Sequence, residues 1–236
     1  MKTRKQLQIE FSWKLKRFGT TLVQKLIGEG RTKWLDVGSG DKFDDGFEFF
    51  DWFPSSGLPP NLLPRYHQGN ILELTSEKAE AIGAFDLVRM QHVLEHFSFE
   101  EAPAVLKSCA LLLKPQGFLL VTVPDLRIFA KAFLRRKFDS GFTLFAQSRI
   151  PPNAPSSCYF SVYAHSFGYS PISSEHNKHR DQHKWCYDYE GVAYQLKRTG
   201  MFSGIQELTL FNPLSLIPFT HNRPEEDLCV LAQKID

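Results

Sequence analysis

The sequence has no two cysteines close enough to make a C-x-x-C motif. Its four cysteines stand at positions 109, 158, 186 and 229, a spacing that excludes a zinc ribbon or a dithiol redox pair. It has no apolar run approaching the roughly 18 residues that cross a bilayer, and nothing in it resembles a secretory leader. Reduced thiols in a cytoplasmic protein are therefore expected. Excess charge is missing too: 28 Lys and Arg face 26 Asp and Glu, for a net +2. Nor do glycine (15) and proline (14) reach the levels of a disordered or fibrous chain. What is present, 42% hydrophobic and 23% charged residues in 236, predicts one ordinary globular domain.

The small net charge conceals an asymmetry. Nine Lys and Arg against Glu10 and Glu29 fall within the first 33 residues, leaving the rest net acidic by five. A basic solvated face on an amphipathic helix explains this, because Phe11, Leu15, Phe18, Leu22 and Leu26 recur at helical spacing before Gly28 and Gly30. No nucleic-acid function is expected.

Beyond the helix, apolar runs alternate with helical patterns. Lys33 to Val37, Phe47 to Asp51, Arg65 to Gln68, Phe85 to Met90 and Phe118 to Val123 read as strands. Ser98 and Glu101 form a capping box that opens a helix to Leu113, and Lys114-Pro-Gln-Gly117 reads as a turn. A helix is expected over Leu126 to Phe138 and another over Tyr187 to Thr199, with Gly200 as its stop. Two last strands are expected over Ile205 to Phe211 and Leu228 to Gln233. Such alternation predicts an α/β fold with a parallel sheet that binds its ligand at the carboxyl ends of the strands. Between them, Gln147 to His183 is rich in Ser and Pro and too long for a simple connection.

The first strand ends in Leu35-Asp-Val-Gly-Ser-Gly40, where glycines let the backbone approach a ligand. A dinucleotide fingerprint needs a third glycine, and Phe43 stands in its place. Asp51, closing the second strand, can accept both hydroxyls of a ribose. The chain resembles the class I S-adenosylmethionine-dependent methyltransferases, and in particular small bacterial ones associated with cell-surface polysaccharide synthesis. The stretches that carry the resemblance are LDVGSGD (35–41), FFDW (49–52), FDLVRMQHVLEHFSFEEA (85–102), LLKPQGFLLVTVPD (112–125), HKWCYD (183–188) and RPEEDLCVLAQK (223–234).

That resemblance implies a Rossmann-like seven-stranded sheet with a reversed last strand, and S-adenosylmethionine as cofactor. Gly38, Ser39 and Gly40 would wrap its methionine part, with Asp36 helping to hold the ammonium. Asp51 would bind the ribose, Trp52 would lie against the adenine, Asn70 would meet the adenine amino group, and Gln91 and His92 would line the mouth. Two departures stand out: Gly69-Asn70 replaces the usual acid after the third strand, and ten residues between Gly40 and Asp51 leave little room for a first crossover helix.

His92, Glu95 and His96 form H-x-x-E-H, whose spacing on a helix would turn all three toward one face. With His183 they make an alternative metal set. The expectation is no metal, with His92 and His183 as catalytic groups, His92 first as a neutral base for a hydroxyl acceptor. A carboxylate or phosphate acceptor would need no base, and Arg127, Arg149 or Arg180 could hold it. The expected organisation is one methyltransferase domain over 1–236. Within it lie a basic helix (1–30), a cofactor-binding half (31–125), a substrate cap (126–183) and a C-terminal helix with a strand hairpin (184–236). The acceptor is expected to be a small molecule or glycan precursor; the alternative is a non-catalytic S-adenosylmethionine-binding or assembly protein.

Overall fold

The computed structural model describes residues 26–40, 42–135, 155, 157, 182–208 and 227–236. Seven strands form one sheet in the order β3-β2-β1-β4-β5-β7-β6. They are β1 (Trp34–Val37), β2 (Phe47–Asp51), β3 (Tyr66–Gln68), β4 (Phe85–Gln91), β5 (Leu113–Pro124), β6 (Phe202–Leu208) and β7 (Asp227–Lys234). The first five pair in parallel, and β7 runs antiparallel to both β5 and β6. The order reverses between the adjacent β1 and β4, so the chain leaves their carboxyl ends toward opposite sides, the arrangement at which such sheets bind ligands.

Four helices are described: α1 (Ser76–Ile82), α2 (Ala102–Leu111), α3 (Leu126–Arg135) and α4 (Tyr189–Thr199). Strands β4 and β5 are buried almost throughout, as apolar runs in a parallel sheet must be when both faces are covered. One face packs Leu35, Val88, Met90 and Val121 with Leu106 of α2 and Leu196 of α4. The other buries Phe47, Phe49, Leu87 and Leu120 with Leu26 and Leu62.

The amphipathic helix expected before β1 lies outside the described residues except for its last turn, where Leu26 is fully buried. The capping box is present: Ser98 N–H donates to Glu101 Oε2 at 2.8 Å and Glu101 N–H to Ser98 Oγ at 3.3 Å. The helix ends at Leu111, two residues before the expected limit, because Leu113 already pairs with Phe85 at the start of β5. The expected turn at 114–117 is thus a bulge inside β5, with Gln116 at φ 57°.

Helix α1 was not expected. Thr75 caps it by accepting Lys78 N–H, but Ala79 is its only buried residue, so it shows almost no apolar periodicity. Between β1 and β2 no helix is found among the described residues, as the short spacing required.

Candidate cofactor and acceptor site

The loop after β1 is held at several points. Gly38 N–H donates to Phe50 O at 2.8 Å, and Gly40 N–H to Asp51 Oδ2 at 2.8 Å. Gly38 has φ 74°, and a Cβ on it would stand 2.4 Å from Val93 Cγ2, so glycine is required there on both counts. Asp51 is buried, and its other oxygen accepts Phe53 N–H at 3.2 Å. Each of its oxygens therefore keeps one lone pair for a further donor. Trp52, the next residue, is 45% exposed and packs against Phe53 with ring centroids 4.6 Å apart.

Asp36 is placed differently from the expectation. Its carboxylate is buried and ion-paired with Arg89 of β4, whose guanidinium also donates to Asp44 Oδ2 at 2.7 Å. Burial raises the Asp36 pKa and Arg89 opposes the rise. Asp36 Oδ1 and Ser39 Oγ are both buried and accept no hydrogen bond from the described residues. Asn70 is also committed, accepting Leu72 N–H at 3.2 Å and donating to Glu73 Oε1 at 2.8 Å, which caps a short 3-10 turn. Gln91 ends β4 beside Thr122 of β5, at the crevice.

At the mouth after β4, His92 adopts φ 55°, uncommon for a residue with a side chain. Its N–H donates to Thr122 O at 2.8 Å, and its ring lies between two carboxylates: Nδ1 is 3.2 Å from Glu95 Oε1, and Nε2 is 3.0 Å from Asp227 Oδ1. Burial pulls the His92 pKa down, but Asp227 and then Glu95 outweigh it and carry it up to about 10. The Glu95 carboxyl, pushed up by burial, is drawn further down by His92, with help from His96 and His183, to about 2. That direction favours the protonated ring over the neutral base expected at position 92. A ring that faces an acid at each nitrogen holds its proton rather than receiving one.

Glu95 also organises the returning chain. Its carbonyl accepts Lys184 N–H at 2.8 Å and Trp185 N–H at 3.2 Å, while the His96 ring lies edge-on to His183 at 5.1 Å. One ligand atom each from Glu95, His96 and His183 lie within 4.8 Å of one another, so these three can approach a cation. His92, the fourth residue of the alternative metal set, is not part of that group; its ring lies between Glu95 and Asp227. A tetrahedral ion with bonds of about 2.0–2.2 Å holds its ligand atoms about 3.3–3.5 Å apart, and the three would have to draw in to meet that.

Arg127 was a candidate for holding an anionic acceptor. Its guanidinium instead binds Asp125 at 2.8 Å and pairs with Glu207, so two acids already occupy it. Arg149 and Arg180 lie outside the described residues, as does most of the stretch from 147 to 183. His183 is described and buried. Sequence reasoning missed Arg89, Asp44 and Asp227. A charge inside the apolar run FDLVRMQ was the available signal for Arg89; nothing local marked the other two.

Among the described residues no helix is long and apolar enough to cross a membrane. The model of the family described as "Methyltransferase domain" matches residues 54–121, and no curated protein sequence matches the chain. Among solved structures, an S-adenosylmethionine-dependent methyltransferase from Clostridium acetobutylicum ATCC 824 is similar at 13% identity and TM-score 0.50, over 94% of this chain and 92% of that one. A Rhodobacter sphaeroides protein provisionally assigned to the Zn-dependent alcohol dehydrogenases is similar at 14% identity and TM-score 0.51, over 87% and 85%. The CurJ carbon methyltransferase is 14% identical at TM-score 0.48, over 92% of this chain and 54% of its own. The chain thus spans about half the length of several structures it matches. With β7 reversed in a seven-stranded sheet, it has the Rossmann-like fold of the S-adenosylmethionine-dependent methyltransferases, and residues 54–121 carry the methyltransferase-domain sequence pattern.

Proposed function

We propose that the protein is an S-adenosylmethionine-dependent methyltransferase acting on a hydroxyl, carboxylate or phosphate oxygen of a small molecule or glycan precursor. The observation that carries the choice of cofactor is the charge around the loop after β1. Among the described residues, Asp36, Asp44 and Asp51 stand there against Arg89, with the exposed Lys42 and Asp45 cancelling. A dinucleotide needs the reverse, because its pyrophosphate rests on a helix N-terminus. Among the described residues between β1 and β2 there is no helix. Phe43, where the third glycine would be, packs edge-on against Phe49 at 5.0 Å. An acidic pocket suits a ligand with a sulfonium and an ammonium.

The residues present fit that ligand. Asp36 Oδ1 and Ser39 Oγ are unspent inside the loop, Asp51 retains a lone pair on each oxygen, and Trp52 offers an exposed ring. Bound there, the cofactor supplies an electrophilic methyl group on sulfur. The chain's own work is to orient and to manage one proton. His92, held between Glu95 and Asp227, positions the mouth of the crevice. For a hydroxyl acceptor the proton would pass to His183, the buried imidazole of the cluster.

A second reading, favoured by the convergence of Glu95, His96 and His183, puts a divalent cation on those three to hold the acceptor oxygen. The function is tested by a labelled-methyl screen against surface-glycan precursors and small hydroxy acids. Transfer to any oxygen acceptor supports it, whereas cofactor binding without transfer or hydrolysis would favour a binding or assembly protein.

A further inference from the structure

In place of a crossover helix between β1 and β2, the chain has a buried arginine beneath the loop. Arg89 stands in the middle of β4, in register with Asp36 of β1 on one side and Leu120 of β5 on the other. Its face of the sheet is the one lined by Phe47, Phe49, Leu87 and Leu120. The guanidinium is 2% exposed, lies over the Phe47 ring at 4.4 Å, and forks between Asp36 below and Asp44 above. Asp44 belongs to the loop, one residue after Phe43, which packs on the same aromatic floor. Around this fork the loop folds on itself, with Lys42 N–H donating to Ser39 O at 3.1 Å and Phe47 N–H to Asp44 O at 3.4 Å.

We infer that Arg89 and Asp44 form a clamp that substitutes for the missing helix and pre-orders the cofactor-binding loop from 38 to 46. An ordinary crossover helix fixes such a loop by burying an apolar face on the sheet. Here the loop offers Phe43 alone for that purpose, so a charge-assisted, two-armed hydrogen bond from a rigid strand supplies the rest. Arginine suits the place better than lysine, because one planar group must reach two acids in different elements and still stack on a ring. With the pair formed, Asp36 Oδ1 and Ser39 Oγ remain buried without a hydrogen bond from the described residues. Arg89 and Asp44 are positioning residues: they set the free energy of ordering the loop before the ligand arrives.

The inference rests on the methyltransferase reading for its ligand but not for its first readout, which is amide exchange of the unliganded protein. Replacing Arg89 by Met would strand Asp36 in the interior and could prevent folding, so Asp44→Ala is the main variant, since it leaves the Asp36–Arg89 pair intact. Amides of residues 38–46 should exchange faster in Asp44→Ala while those of β4 and β5 stay as protected as in the wild type. Calorimetry with S-adenosylmethionine should show affinity about ten- to a hundredfold weaker, the range of one hydrogen bond to a charged group. KM for the cofactor should rise, with kcat at saturation changed less than threefold or so. Asp44→Asn, which can still accept from Arg89, should recover much of the affinity, and Arg89→Lys should fall between wild type and Asp44→Ala. Unchanged exchange over 38–46 with affinity within twofold of wild type would overturn the clamp. If the wild type binds no S-adenosylmethionine, the cofactor assignment fails, and the exchange contrast still decides the clamp.

Discussion

His92 Nε2 lies 3.0 Å from Asp227 Oδ1, joining the first residue after β4 to the first residue of β7 across the open end of the sheet. With Glu95, three residues on, at its other nitrogen, the ring ties the loop after β4 to the start of β7, far away in sequence. This tie has a pH signature. The His92 pKa is raised in the folded state to about 10 from its ordinary value of 6.5, so its contribution to stability is fully present below about 6.5 and is lost as pH rises toward 10. Glu95, lowered to about 2 from 4.5, contributes above about 4.5 and loses that contribution as pH falls toward 2. Thermal unfolding followed from pH 6 to 10 should show a falling midpoint that flattens in His92→Gln. A wild-type midpoint as flat as the variant's would remove the imidazolium.

Asp51 serves both the loop and the ligand, so its loss should be felt twice. Asp51→Ala should weaken S-adenosylmethionine binding by two to three decades, from about 3–5 kcal/mol of lost charge-assisted hydrogen bonds. Calorimetry that finds the variant within threefold of wild type would take Asp51 out of the site.

Trp52 separates binding from folding more cleanly. Its ring is 45% exposed, so Trp52→Ala should leave the unfolding midpoint nearly unchanged, while loss of an aromatic stack should cost about 0.5–1.5 kcal/mol of cofactor affinity. A large loss of stability with intact binding would make the ring structural.

For metal, the expected result is that transfer persists after exhaustive chelation, since His92 is committed to Asp227 and the remaining three ligands stand wide. Activity that disappears and returns with one divalent ion would assign Glu95, His96 and His183 to it.

Strand β5 ends at Pro124, α3 begins at Leu126, and beyond the stretch that follows Lys184 and Trp185 dock on Glu95. The intervening stretch therefore leaves and rejoins the fold at the acceptor end, which is the basis for the proposed cap. Replacing residues 147–180 by a short Gly/Ser linker should spare cofactor affinity and abolish transfer. Full transfer in that variant would refute the cap, and loss of both would make the stretch part of the core.

The sheet was legible because its strands are apolar runs bounded by Gly, Pro and Asp. Strands β1, β2, β4 and β7 fall within a residue or two of where those runs lie. Boundaries slipped where tertiary pairing overrode local signals, as in β5, whose Lys114–Gly117 turn became a bulge, and β6, which begins at Phe202 instead of Ile205. Helix α1 escaped because it buries one alanine. At the site, spacing identified Asp36, Asp51 and His92 as residues that matter but not what each would meet. Partners such as Arg89, 53 residues from Asp36, or Asp227 for His92, are brought together only by the strand order, so no local pattern could announce them.

The central claim is that an acidic, helix-free loop after β1 binds a cationic nucleoside in preference to a dinucleotide. Titration calorimetry of the purified chain with S-adenosylmethionine, S-adenosylhomocysteine and NAD measures this directly. The account predicts saturable one-site binding of both adenosyl ligands and none of NAD up to millimolar concentration. Binding of NAD, or of neither adenosyl ligand, would contradict it.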